Sequence, residues 1–425
     1  RLTWNWELTH YKIIFSSVPA ANGNTMLEPY IEDCFYPINS KLTLTPLPNK
    51  GAYHTGYYVV SHKWITPGSE AQLMVAHPEG PLTLTLECPK TIESYYASSW
   101  GFNGAQITNG VWTFNFNNYS TGLQLTIYNG GHGMLDFRNF EADTGKKVLA
   151  MAGRLFNYPY YKGPTSVFAP DLSVISGPAF HSCFKIGHIE LSPDLTSIEP
   201  TLFYACTSLT NLTPTILPKV KYIGKLAIGG KVPLRGDFEF ASCATVAEEA
   251  LYGIMATSIK LPACTKMEGS ALRACVSLTN VLINASTFIG QNHFYEDSAL
   301  KTILFTNPKG VDAFPPNAFY KCNALTDIWY YGTNAPSSVG VKAFSVSSPY
   351  PYVHIRDNKD LDGWRSLATR IADTTGTASS PLTDADKARS DYPGPVRTVG
   401  IKAENNNYFW IVKWPVNIKT LFLVR

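Results

Sequence analysis

Between Leu172 and Phe344 one short phrase recurs: a β-branched or aliphatic residue, five positions on a Phe or Leu, and three further on often a Cys. The copies are Ile175/Phe180/Cys183, Ile198/Phe203/Cys206, Ile223/Ile228/Lys231, Val246/Leu251/Ile254, Met267/Leu272/Cys275, Ile289/Phe294/Asp297, Phe314/Phe319/Cys322 and Val339/Phe344. Successive starts lie 21 to 25 residues apart, the period of a solenoid whose coils stack on one another. A unit this short cannot bury its apolar face alone, so neighbouring copies must cover each other. No other feature of the chain restricts its fold as strongly.

A chain of 425 residues has room for flanking structure beyond the repeats. Charged residues are only 16%, against a usual share of about a quarter, so Asn, Ser, Thr, Gly and Tyr must carry much of the wet surface. That balance fits a secreted β-rich protein. A net charge of +3, without a basic run, does not point to nucleic acid. The most apolar segment, Tyr408 to Val424, is interrupted by Lys413, Pro415 and Lys419, so no membrane span is expected. The chain opens at Arg1, which fits a removed leader or a fragment.

Residues 1–148 read as a β-sandwich region, one sandwich or two. Leu82/Leu84/Leu86, Trp112/Phe114/Phe116 and Leu123/Leu125/Ile127 alternate in period two, as strands with one wet face do. Turn signals such as Asn109-Gly110 and Asn129-Gly130-Gly131 separate them. Residues 149–371 comprise the solenoid and its caps, with Asp360 placed to cap a short closing helix carrying Leu361, Trp364 and Leu367. The Thr-, Ser-, Asp- and Pro-rich stretch 372–395 predicts a linker. Residues 396–425 form a small β-unit, too small to stand alone, which pairs with a sheet elsewhere in the chain or with another subunit.

Counted from the cysteine position, apolar residues recur at plus three, plus six and plus eight, as in Leu278/Val281/Ile283 and Leu300/Ile303/Phe305. With the phrases Pro178-Ala179-Phe180 and Asn317-Ala318-Phe319-Tyr320-Lys321-Cys322, the unit resembles the BspA-like leucine-rich repeat over roughly residues 172–344. The resemblance implies a parallel β-solenoid in an extracellular or cell-surface protein devoted to adhesion rather than catalysis. Its partners would be proteins or glycans on host or neighbouring cells. The family brings no set of binding residues with it.

Stacked parallel strands place equivalent residues in columns. At plus five stand His188, Asn211, Asn280, Thr302 and Asp327; at plus seven, Glu190, Thr213, Leu282, Leu304 and Trp329. The second column turns apolar toward its C-terminal end. Either another part of the chain covers Leu282, Leu304 and Trp329, or they form an exposed patch for a partner. Of these residues His188, Glu190, Asn280, Leu282, Thr302, Leu304, Asp327 and Trp329 are the candidate partner-binding set. Cys183, Cys206, Cys275 and Cys322 share one repeat position on different coils, which suits a small buried residue better than a disulfide framework.

Other chemistry finds little support. His132 sits in a glycine-rich turn, and no H-E-x-x-H, G-x-S-x-G or P-loop occurs. Asn358-x-Asp360-x-Asp362-Gly363 resembles the start of a calcium loop, but Thr369 stands where the bidentate Glu belongs. No catalytic residue, metal or cofactor is therefore assigned. Among aromatic residues, Trp4, Trp6, Tyr95, Tyr96, Trp100, Tyr158, Tyr160 and Tyr161 are candidate sugar-stacking groups on an exposed face; the unperiodic pairs Tyr95/Tyr96 and Tyr160/Tyr161 suit glycan contact best. The expectation is a mainly β, non-enzymatic binding protein. The alternative is a structural subunit of a surface filament or virion fibre, in which the C-terminal β-unit pairs with another copy.

Overall fold

The computed structural model describes residues 10–18, 23–28, 35–37, 39–48, 57–65, 72–76, 82–85, 90–98, 100–131, 133–156, 163–344, 349–356, 360–372, 378, 380–395 and 397–413. The chain is mainly β and divides into two compact units, residues 1–150 with 160–170, and residues 151–159 with 171–425.

In the first unit, a five-stranded sheet is ordered Phe35–Pro37, His10–Val18, Lys90–Ser98, Tyr57–Ile65, Gln72–Ala76, and a three-stranded antiparallel sheet joins Gly23–Glu28, Lys41–Pro48 and Leu82–Thr85. A further meander runs through Gly101–Asn103, Gln106–Thr108, Thr113–Tyr119 and Gly122–Tyr128. Its alternation holds up to a β-bulge between Asn115 and Phe116. Trp112, Phe114, Leu123 and Leu125 are buried, whereas Ile127 is 52% exposed, because a bulge inserts one residue and exchanges the faces beyond it. Gly131 is required where it stands, with φ at +138°, since a Cβ there would fall 2.4 Å from the Trp112 ring. Trp100 is a core residue, only 2% exposed, stacked on Phe137 at 5.0 Å and donating from Nε1 to the Asp136 carbonyl at 2.8 Å. Its reading as a surface aromatic is thereby corrected.

The second unit is the solenoid. From Arg235–Glu239 onward each coil contributes one strand to a main sheet, as in Asn280–Ile283, Thr302–Phe305 and Asp327–Tyr330, paired parallel in strict register, while His188–Leu191 and Asn211–Thr213 pair parallel in a separate sheet. A second face is built from two-residue strands, Ser197–Ile198, Tyr222–Ile223, Thr245–Val246, Lys266–Met267 and Thr287–Phe288. The third side is a tight corner with left-handed residues. Ser182, Ala205, Gly253, Ala274, Glu296 and Lys321 all have φ between 58° and 73°. Such conformations cost energy for a non-glycine residue, and backbone bonds across coils hold them. The amide of Ser182 donates to Tyr204 at 2.8 Å, that of Ala274 to Tyr295 at 2.8 Å and that of Glu296 to Tyr320 at 2.9 Å.

The recurring Phe or Leu forms a continuous interior ladder. Phe156, Phe180 and Phe203 stack at 5.4 and 5.6 Å, Ile228, Leu251 and Leu272 continue the row, and Phe294, Phe319 and Phe344 stack at 5.4 and 5.2 Å. The cysteine position is buried beside it. Its thiols do more than fill space: Cys206 Sγ donates to the Phe180 carbonyl at 3.0 Å, Cys275 to Leu251 at 3.2 Å and Cys322 to Phe294 at 2.9 Å. Cys243 and Cys264, which no repeat phrase includes, occupy a second interior position on successive coils and bond the carbonyls of Thr245 and Lys266 at 3.3 Å. Burial pushes the thiols of Cys183, Cys243 and Cys264 up to about 12 and raises those of Cys206, Cys275 and Cys322 as well. A thiol reagent at about pH 8 is expected to label none of these six in folded protein and all six after denaturation; labelling in native buffer contradicts the packing.

Two repeat phrases are out of phase in the sequence reading. In the third copy the buried residue is Val232, with Lys231 exposed in a left-handed turn. In the sixth, Phe288 pairs with Met267, and Ile289 is 47% exposed. One inserted residue in each case displaced the pattern without displacing the stack.

At the C-terminal end Tyr352–Ile355 adds to the main sheet, Phe409–Lys413 adds parallel to it, Thr398–Lys402 follows antiparallel, and the two-residue strands Arg370–Ile371 and Ser380–Pro381 complete the edge. The small β-unit therefore extends the solenoid's sheet, up to Lys413; its expected last strand, residues 418–424, lies outside the described residues. Asn407 completes the cap: its Oδ1 accepts from the Phe344 amide at 3.0 Å and its Nδ2 donates to the Gly340 carbonyl at 2.8 Å. The Lys342 amide meets the Asn405 carbonyl at 3.0 Å, so residues 405–407 present the groups that a further coil would offer. The stretch read as a linker is structured over 380–392. Helix Asp384–Lys387 starts with a capping box between Thr383 and Asp386, and Leu382 packs against Ile401, Trp410 and Val412. Asp360 caps helix Leu361–Leu367, accepting from Gly363 at 3.1 Å, and its other oxygen accepts from Ala335. It is engaged as a cap, and Asp362 beside it points outward.

Candidate functional site

The outward-facing columns of the main sheet follow from parallel pairing. One runs Asp237, Ser258, Asn280, Thr302, Asp327, Tyr352; its neighbour runs Glu239, Lys260, Leu282, Leu304, Trp329, His354. Asp237, Ser258, Glu239 and Lys260 are absent from the sequence-derived columns because their coils lack the Phe and Cys markers. They are bonded among themselves, Ser258 Oγ donating to Asp237 Oδ1 at 2.8 Å and Lys260 lying 3.8 Å from Glu239. A count from Val232 instead of Lys231 recovers Asp237 and Glu239 as the residues flanking buried Phe238.

His188 pairs with Asn211 and Glu190 with Thr213 as read from sequence. They stand in a different sheet from Asn280, Thr302 and Asp327, so the structure does not join the candidate set into one sheet. Asn280 is exposed, and His188, Glu190, Leu282, Thr302 and Asp327 are half-buried. Leu304 and Trp329, at 8% and 5%, are buried. The apolar end of the column is consequently not an open patch, and those two residues leave the partner-binding set.

Trp329 lies flat on His354, ring centroids 3.9 Å apart and planes 9° from parallel. His354 Nε2 is 2.7 Å from Asp327 Oδ1, and Thr326 Oγ1 donates to Asp327 Oδ2 at 2.7 Å. Burial opposes the charge on Asp327, and the bonds from His354 and Thr326 more than compensate, holding its carboxyl below the usual carboxylate range. The column thus ends in a closed polar and aromatic cluster.

Of the proposed glycan contacts, Tyr95 and Tyr96 belong to strand Lys90–Ser98, opposite Val18 and Val59, with side chains outside the description. Tyr158, Tyr160, Tyr161, Trp4, Trp6 and His132 lie outside the described residues. Among the described residues no group of His, Cys, Asp and Glu is arranged to hold a metal ion, and no helix is long and apolar enough to cross a membrane.

Coils of this length, with one parallel strand each and an interior ladder of Phe or Leu, define a leucine-rich-repeat solenoid. Residues 163–235 and 244–359 match the BspA type leucine rich repeat region in six copies. The resemblance to the BspA-like repeat over roughly residues 172–344 is thereby borne out. Among solved structures it is similar to a leucine rich cell surface protein from Faecalibacterium prausnitzii, at 15% identity over 69% of this chain and 99% of that one, with a TM-score of 0.25. It is also similar to a leucine rich repeat protein of T. pallidum, at 21% identity over 55% and 85%, TM-score 0.26, and to one from Bacteroides ovatus, at 14% over 58% and 94%, TM-score 0.23. No curated protein matches the chain.

Proposed function

We propose that this chain is an extracellular or cell-surface binding protein that recognises a protein partner through the wet part of its main sheet. The observation behind this reading is the in-register column Asp237, Ser258, Asn280, Thr302, Asp327, which offers one carboxylate, hydroxyl or amide per coil on a rigid support. Many modest contacts along such a face give affinity through number and preorganisation rather than through a deep pocket. The described C-terminal strand Phe409–Lys413 is paired on both sides within the chain, which favours binding over assembly through that strand. The test is a binding array of matrix proteins and glycans, probed with the wild type and with Asn280→Arg/Thr302→Arg. Loss of a protein signal in the variant at unchanged melting temperature is expected. Signals identical in both forms, or none from the wild type, would overturn the reading.

A further inference from the structure

A second surface lies on the corner of the coils, away from the sheet columns. The residue following each ladder position is half-buried there, with one side to solvent: His181, Tyr204, Tyr252, Arg273, Tyr295 and Tyr320. These side chains stack along the solenoid. His181 and Tyr204 lie 5.3 Å apart, the Arg273 guanidinium sits over Tyr252 at 5.7 Å and over Tyr295 at 5.1 Å, and Tyr295 and Tyr320 are 5.6 Å apart. Lys321 is 5.4 Å from the Tyr295 ring and Lys342 is 5.6 Å from Tyr320. The row breaks at the third coil, where glycines stand; a Cβ at Gly230 would come within 3.0 Å of the Tyr204 ring.

From Arg273 to Lys342 this corner carries Arg273, Lys321 and Lys342 against the single acid Glu296. Lys321 is matched by Glu296 at 2.7 Å. Arg273 and Lys342 have no carboxylate partner among the described residues, and Arg273 Nε is buried with no hydrogen-bond acceptor. The acid Glu249 belongs to the left-handed turn row one coil before Arg273, and Lys342 belongs to the same row three coils after it. The ring planes are inclined by 23° for His181/Tyr204 and by 30° for Tyr295/Tyr320, and all four tyrosines are half-buried, so part of each ring edge is left to solvent. A parallel turn row adds Ser270, Asn292 and Asn317, the last donating to Asn292 at 3.1 Å.

We propose that this rim binds a carboxylated polysaccharide, a uronate-type polymer laid along the solenoid axis. Arg273 and Lys342 would take carboxylates, which pair with guanidinium and ammonium groups through charge-assisted bonds. The tyrosine hydroxyls and asparagine amides would meet sugar hydroxyls. An acidic polypeptide offers carboxylates but not that run of hydroxyls, and its side chains on one face repeat every ~6.6 Å, against a coil rise of about 4.8 Å. The sugar polymer therefore answers more of the groups present. This surface is separate from the sheet face and does not rest on its reading.

Affinity electrophoresis through polygalacturonate, with dextran and poly-glutamate as comparison gels, tests the proposal on the full chain. Retardation by polygalacturonate that weakens with salt, with no retardation by dextran, is expected. Arg273→Gln/Lys342→Gln should weaken it at least about tenfold, and the single exposed change Lys342→Gln, which leaves the stacked row intact, should weaken it measurably. Asn280→Arg/Thr302→Arg should leave it unchanged, so failure here and failure of the sheet-face reading are distinguishable. Absence of retardation, or equal retardation of wild type and of the folded Gln variants, overturns the proposal. Poly-glutamate retarding the protein as strongly as polygalacturonate overturns the sugar assignment in favour of an acidic protein.

Discussion

Replacing Phe319 by Ala is expected to destabilise the solenoid by about 3–5 kcal/mol, the range for emptying a packed aromatic site. Phe319 is stacked between Phe294 at 5.4 Å and Phe344 at 5.2 Å, with Phe314 against its edge at 5.8 Å. Three rings lose a partner at once, and cross-coil backbone bonds on both sides resist collapse of the space. In a stack where each coil touches only its neighbours, the cavity weakens two interfaces. Phe319→Leu should cost far less, since Leu251 and Leu272 fill the same row in other coils. Tyr320→Ala, one residue on and half-buried at the corner, serves as the comparison and should cost less. The measurement is the denaturant midpoint at constant slope; a loss below about 1 kcal/mol for Phe319→Ala would show that the ladder is not the core of the stack.

A second large effect is expected from pH, because one coil carries two buried ionisable groups. His293 occupies the place taken by Ala179, Ala227, Ala250, Ala271, Ala318 and Ala343 elsewhere. Its Nε2 donates to the Ile289 carbonyl at 3.1 Å, while Nδ1 has no hydrogen-bond partner among the described residues. Burial pushes its pKa down to about 4 from 6.5. The unfolded chain therefore takes up a proton that the folded chain refuses. The stability that His293 contributes is complete above about pH 6.5 and falls with acid down to about pH 4, a loss of about 3 kcal/mol at about 1.4 kcal/mol per pH unit. The difference in stability between wild type and His293→Ala should change by that amount across this window, since every other group titrates alike in both.

Asp297 acts with the opposite sign. It occupies the cysteine position, fully buried, with Oδ1 accepting from the Cys275 amide at 2.7 Å and Oδ2 without a partner. Burial, chiefly, raises its carboxyl well above the ordinary range, so the unfolded chain ionises first and stability declines as pH rises from about 4. Asp297→Cys, which restores the residue of the best repeats, should stabilise the protein, and by more as pH rises. A gain independent of pH between about 5 and 8 would mean that the folded carboxyl is already ionised.

The solenoid was legible because its cause is repeated. Each coil must bury an Ile or Val, a Phe or Leu and a small residue at fixed spacing, and eight copies make the pattern visible even where one copy fails. The same logic placed Asn280, Thr302 and Asp327 in one column before any coordinates, since parallel register follows from a constant period. Where a single residue is inserted, as at Lys231 and Ile289, counting goes astray: a turn absorbs the extra residue locally while the interior stays in line.

What sequence alone determined is therefore the interior, a set of apolar residues whose only common solution is a stack. Tertiary structure decided the exterior. Whether Trp329 faces water depends on His354, twenty-five residues on, and on what else lies over the sheet. Whether residues 380–392 are a linker depends on Leu382 reaching Trp410. The corner row of Tyr252, Arg273, Tyr295 and Tyr320 became a feature only when the left-handed turns brought successive coils into ring contact. Interior packing is dictated by burial, which each residue declares for itself; a surface is made by neighbours distant in the chain, and only the fold says which neighbours meet.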